Sequence, residues 1–111
     1  MRVLLDECVP KRLRRDLPGF EVSTVADEGW LGCRNGDLLR AMAAAGFTHL
    51  ITVDRNLMFQ QNVGAVGVAL VVVHARTNRL VELRPLMAAV AEILPTALPG
   101  QVVHVNGREH R

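Results

Sequence analysis

The sequence holds no uninterrupted apolar run of about 18 residues, the length a membrane-spanning helix needs. Its first residues enter a strand-like run directly, with no basic n-region, apolar h-region or small-residue cleavage site. The expectation is a soluble cytoplasmic protein with no membrane partner. Cysteine is scarce: Cys8 and Cys33 are the two present. They have no CxxC spacing, so a reduced pair is the default, and Cys8 reads first as a small buried hydrophobe. The histidines His49, His74, His104 and His110 show no zinc-ligand spacing and read as structural or exposed. No P-loop, GxGxxG or GxSxG occurs, which leaves NTPase, dinucleotide-binding and α/β-hydrolase functions without support. Strong charge is also absent. The formal net charge of +2 is too small by itself to imply nucleic-acid binding.

What is present suits one compact domain. The chain has 111 residues, half of them apolar, enough for one ordinary core and too few for two. No repeat, low-complexity block or linker interrupts it. Residues 2–6 read as a buried strand. A helix follows from Pro10 to about Leu17, with Leu13 and Leu17 spaced i, i+4 and Pro18-Gly19 as its stop. Glu21 to Val25 is a second strand, and 26–36 a loop. A helix capped by Asn35 follows, with Asp37 in its first turn, an apolar face of Leu38, Leu39, Met42 and Ala45, and Gly46 as its end. Residues 48–53 form a third strand, and Arg55 to Gln61 a polar helical turn. Val66 to Val73 reads as a fully buried parallel strand. Leu80 to Leu94 is mainly helical, with Pro85 starting its main part. Val102 to Val105 is an edge strand. The domain is expected to occupy 1–106, with 107–111 a frayed tail. The alternation of strands and helices predicts a three-layer α/β/α domain around a mostly parallel five-stranded sheet.

Three acids fall where such a domain gathers functional groups. Asp6 ends the first strand, Asp54 ends the third, and Asp37 opens the helix leading into the third. In an open parallel sheet, ligands bind outside the carboxyl ends of the strands. Carboxylates brought together there repel unless a proton or cation lies between them. The alternative is that each Asp is a strand terminator or helix cap. Shared carboxylates suit Mg²⁺ or Mn²⁺, hard ions that prefer oxygen ligands. Such an ion can supply a nucleophilic water and neutralise phosphodiester charge. Glu7, adjacent to Asp6, points to the other face unless the strand has already ended.

At these residues the chain resembles a known family. Asp6 after a leading strand, Asp37-Leu38-Leu39-Arg40-Ala41 opening a helix, and Leu50-Ile51-Thr52-Val53-Asp54 together resemble the PIN-domain pattern. Leu4-Leu5-Asp6-Glu7-Cys8-Val9-Pro10 is similar to the opening of the short PIN-like proteins of the DUF5615 type. The resemblance covers roughly residues 1–95 and implies a PIN-like fold. It also implies kinship with VapC-type toxin ribonucleases, which are neutralised by a small antitoxin, and it allows a homodimer. On that resemblance Asp6, Asp37 and Asp54 are the catalytic and metal-holding residues, with Glu7 and Asn56 supporting them. Two departures stand out. The additional helical acid of PIN nucleases has only the loop residues Asp27 and Glu28 as substitutes. Asn56 stands where a further Asp is common.

The implied activity is metal-dependent endoribonuclease action as a toxin component. The competing reading is a binding or regulatory module with a degenerate, non-catalytic acidic site. Of the 13 basic residues only Lys11 is a lysine, which disfavours a receiver-like phosphoacceptor because that would need a late lysine. Arginine grips phosphate with a planar fork, and Arg12 and Arg55 are the candidates to hold an RNA backbone, with Gln61 as a further hydrogen-bonding contact. A coding bias toward Arg, solvated helix faces and a capping turn at Gln60-Gln61-Asn62 are the respective alternatives. Trp30 would stack on an unpaired base, cover the core or sit in a dimer interface.

Overall fold

A computed structural model describes residues 1–56 and 63–106. Five parallel strands form one sheet: β1 (Arg2–Leu5), β2 (Glu21–Thr24), β3 (His49–Thr52), β4 (Ala69–His74) and β5 (Val102–Asn106). Their spatial order is β2-β1-β3-β4-β5. The strands in the middle are buried on both sides: the β3 residues and all of β4 but its last, His74, are inaccessible. That is why these segments read as continuous apolar runs, whereas the outer strands β2 and β5 each bury one residue and leave the rest partly or fully exposed.

Helices cover both faces. Helix α1 (Asn35–Ala44) lays Leu38, Leu39 and Met42 against Leu4, Leu50, Leu70 and Val72. The short α2 (Val63–Val66) lies on the same side, with Val66 against that cluster. The 3-10 helix Lys11–Asp16, α3 (Leu80–Leu83) and α4 (Met87–Ile93) close the opposite face. There Leu13, Leu83, Met87 and Val90 pack on Val3, Leu5, Ile51, Val71 and Val73. The result is a three-layer α/β/α domain. Among the described residues no helix is long and apolar enough to cross a membrane.

Several elements differ from their sequence expectation. The segment after Pro10 is a 3-10 helix. The seven residues between Pro10 and Pro18 are too few to repay α-helix nucleation, and i→i+3 bonding serves short pieces. The apolar run from Val66 divides: Gly67 takes φ +81°, which ends α2, and the strand begins at Ala69. An apolar run cannot by itself distinguish strand from helix. The helix expected over Leu80–Leu94 is interrupted by a 3-10 turn at Arg84–Leu86, where Pro85 lacks the N–H that α-helical bonding requires. The position expected as the cap, Asn35, is the first helical residue, and Arg34 precedes it as N-cap without a side-chain capping bond. The C-terminus of α1 follows its sequence closely. Phe47 N–H donates to Met42 O (2.9 Å), Gly46 N–H donates to Ala43 O (3.1 Å), and Gly46 adopts φ +89°. This is a Schellman cap, with Phe47 and Met42 in the same apolar cluster. The tail 107–111 lies outside the described residues.

Candidate functional site

In the order 2-1-3-4-5 the direction of winding reverses between β1 and β3. The crevice at the carboxyl ends of those two strands is the ligand position of such sheets. The chain places Asp6 and Thr52 there. Asp6 N–H donates to Ile51 O (3.0 Å), which carries the β1–β3 pairing one residue past the register pair Leu5–Ile51. Asp6 therefore stands beside Thr52, and both continue the face of Leu4 and Leu50 toward α1. On this face β1 and β3 present Leu4 and Leu50, and one rung further on Asp6 and Thr52.

Both residues are buried, Asp6 at 7 % exposure and Thr52 at 0 %. The Thr52 hydroxyl donates to Asp6 Oδ2 at 2.6 Å and accepts from the Asp54 N–H at 3.0 Å. The other Asp6 oxygen, Oδ1, accepts from the Glu7 N–H at 2.9 Å. Asp54, half-buried, accepts through Oδ1 from the Asn56 N–H at 2.9 Å. Each strand-end carboxylate is thus oriented by a backbone amide one or two residues further on, and one hydroxyl joins the two segments. Cys8 completes the cluster, its Sγ 3.7 Å from both Asp6 Oδ2 and Thr52 Oγ1. Burial, with the Asp6 charge adding to it, pushes the Cys8 thiol above its ordinary range. Cys8 is therefore a poor nucleophile here.

The structure thus links Asp6 to the backbone amide of Asp54 through Thr52. Asp37 lies in the first turn of α1, on the same face, but is exposed and ion-paired with Arg40. Glu7 is exposed, because β1 has ended before it, and it contributes its amide to Asp6. Arg55 and Asn56 form an exposed turn directly after Asp54, and Arg12 is exposed at the start of the 3-10 helix. Gln61, with the polar turn expected from residue 57 onward, lies outside the described residues. Trp30 packs edge-on against Phe47, ring centroids 5.9 Å apart, and belongs to the core beneath α1. Among the described residues no group of three or more His, Cys, Asp or Glu side chains is placed to hold a metal ion.

Sequence reasoning did not single out Thr52, or the pairing of His74 with His104. His74 Nε2 lies 2.7 Å from His104 Nδ1 across β4 and β5. The register places His74 beside Asn106 and His104 beside Val72, so the rung carrying Asp6 and Thr52 continues across the sheet to His104. Burial, and after it the charges of Arg55 and His104, hold the His74 imidazole below its usual range. Asn78 Nδ2 donates to Cys8 O at 3.0 Å, tying the loop after β4 to the loop after β1 across the end of β3. Thr52 carried one signal in the sequence, a hydroxyl within an otherwise apolar strand two residues before Asp54.

Compared with known proteins, the chain matches no family model, no curated protein and no solved structure.

Proposed function

We propose that the Asp6–Thr52–Asp54 cluster is the working site of a metal-dependent endoribonuclease, the cytoplasmic toxin component of a toxin–antitoxin pair. The observation that carries this reading is the buried Asp6 carboxylate, oriented by Thr52 at the switch point of a parallel sheet with Asp54 on the adjoining strand end. A carboxylate taken out of water there, and left with acceptor capacity on both oxygens, suits a cation.

The donor set fits Mg²⁺ or Mn²⁺ in one particular way. Mg²⁺ is commonly held by one or two carboxylates together with waters and substrate phosphates, rather than by an all-protein cage. Asp6 and Asp54 would hold the ion, and Asp37 would join them only by releasing Arg40. The ion, when bound, supplies charge neutralisation at the phosphodiester and a nucleophilic water at neutral pH. The chain's own residues do the rest. Thr52 fixes the direction of Asp6, the Asn56 amide fixes Asp54, and Arg55 and Arg12 grip the RNA backbone, with Gln61 as a further contact. The reading brings with it a small antitoxin as partner and accommodates a homodimer.

A second reading has its own observation. Asp37 is occupied by Arg40, and no three-acid group stands ready among the described residues. A PIN-like binding or regulatory module with a non-catalytic acidic site would look the same. Calorimetric Mn²⁺ titration of wild type and Asp54→Asn, with and without a single-stranded RNA, separates the two. The nuclease reading expects saturable binding that tightens with RNA, disappears in the variant and is accompanied by metal-dependent cleavage. Absence of binding under both conditions selects the non-catalytic module.

A further inference from the structure

The basic residues sort by position. Arg2, Arg14, Arg40 and Arg84 are ion-paired, with Glu21, Asp27, Asp37 and Asp16 respectively. They stand on the first strand and on helices. Arg34, Arg55, Arg76 and Arg79 are exposed and have no ion pair among the described residues. All four lie in segments that leave the carboxyl end of a strand: Arg34 after β2, Arg55 after β3, Arg76 and Arg79 after β4. In an all-parallel sheet those segments share one edge. Lys11 and Arg12, also exposed and unpaired, begin the 3-10 helix at that same edge, and Arg15, further along that helix, is the unpaired exception. The charge that is free to meet a partner is therefore concentrated around the crevice that holds Asp6.

The loop after β4 is the best-held part of this rim. Asn78 anchors it to the backbone of Cys8 at 3.0 Å, and Thr77 Oγ1 accepts from the Arg79 N–H at 3.2 Å. Arg76 and Arg79 flank that anchor on both sides, so two exposed arginines belong to the loop tied to the turn that follows Asp6. Their planar forks match phosphate oxygens. A rim of cations around a carboxylate centre suits a ligand that is anionic along its length and reaches the acids only at one phosphate.

We propose that Arg76 and Arg79, positioned by Asn78, form a phosphate-binding track that carries a single-stranded RNA backbone from the β4 loop into the Asp6 crevice. The proposal deepens the ribonuclease reading by assigning substrate-binding residues outside the acidic cluster. It concerns binding alone, so its fate is separable from that of the chemistry.

The test is fluorescence anisotropy with a short, labelled, fully 2′-O-methylated single-stranded RNA at several salt concentrations. Wild type is expected to bind with strong salt dependence. In Arg76→Gln/Arg79→Gln the log–log salt slope falls by about 1.4, two phosphates at about 0.7 each, and affinity at physiological salt drops on the order of tenfold. Asn78→Ala, which keeps both charges but frees the loop, retains most of the slope and loses part of the affinity. Arg14→Gln, which removes a paired cation elsewhere, binds as wild type. Equal binding by wild type and the double variant, or no binding by wild type, overturns the track. Wild-type binding without any metal-dependent cleavage of the unmodified RNA leaves the track standing and overturns the nuclease reading instead.

Discussion

The two ends of the sheet use the same residue types in opposite ways. At the amino end, Arg2 is paired with Glu21, donates to the Ala45 carbonyl and lies over the Phe47 ring at 4.1 Å. His49 there is 5 % exposed, with its Nδ1 on the Thr48 hydroxyl and its Nε2 buried without a hydrogen-bond partner among the described residues. At the carboxyl end, Arg55, Arg76 and Arg79 stand unpaired, and His74 and His104 meet only at the surface. A guanidinium with a carboxylate, a carbonyl and an aromatic face already satisfied has little left to offer a ligand. One with none of these is available. The difference teaches that residue type alone says little about function here. For the arginines, whether the group is already satisfied by its own fold is the better guide.

Three changes test that contrast, in descending order of effect. Thr52→Val removes the donor to a buried carboxylate and the acceptor for the Asp54 amide at once. Hydrogen bonds to charged groups contribute about 1.5–3 kcal/mol, so chemical denaturation is expected to show a loss of about 2 kcal/mol, and Thr52→Ser should recover most of it. A Val variant as stable as wild type would mean that the carboxyl end is no more tightly organised than its loops.

The second concerns the amino end. Burial lowers the His49 pKa below its ordinary 6.5. The unfolded chain therefore binds more protons than the folded one below that pH, and stability falls as pH drops. The contribution is complete above pH 6.5 and is lost progressively toward the lower folded value. His74, shifted in the same direction, adds to the slope from a more exposed site. His49→Gln should flatten most of the decline seen by denaturation between neutral and mildly acidic pH. A decline that persists unchanged in this variant would assign it to other groups. The smallest effect is local. Arg55→Gln removes a charge that opposes protonation of His74, so its imidazole should titrate at higher pH by NMR while His49 stays unmoved.

Much of the architecture was legible because parallel strands buried on both faces announce themselves as apolar runs, and Gly46 supplied an unambiguous helix end. The boundaries that were missed involve short elements. The 3-10 helix after Pro10, the break at Gly67 and the turn at Pro85 are decided by one or two backbone positions inside apolar surroundings. In the site, Asp6 and Asp54 could be placed because a strand ending in Asp is a local pattern. Thr52 could not be paired with Asp6, 46 positions away, without knowing that β1 and β3 are neighbours. The His74–His104 contact needed the β4–β5 register, and the Asn78–Cys8 tie spans 70 positions. Asp37 was correctly placed in the first turn of its helix, but its capture by Arg40 depends on rotamers that spacing alone does not settle.

The position of β1 between β2 and β3 has a consequence for the chain as it is made. β1 is made before β3 and cannot be flanked on both sides until that later strand has followed it. Asp6 gains the Thr52 hydroxyl in the same step, since Thr52 is the last residue of β3. A growing chain that has made only β1 and β2 holds too few strands for a stable sheet and no Asp6–Thr52 contact. The contact between Asp6 and Thr52 waits until the two halves of the sheet have met.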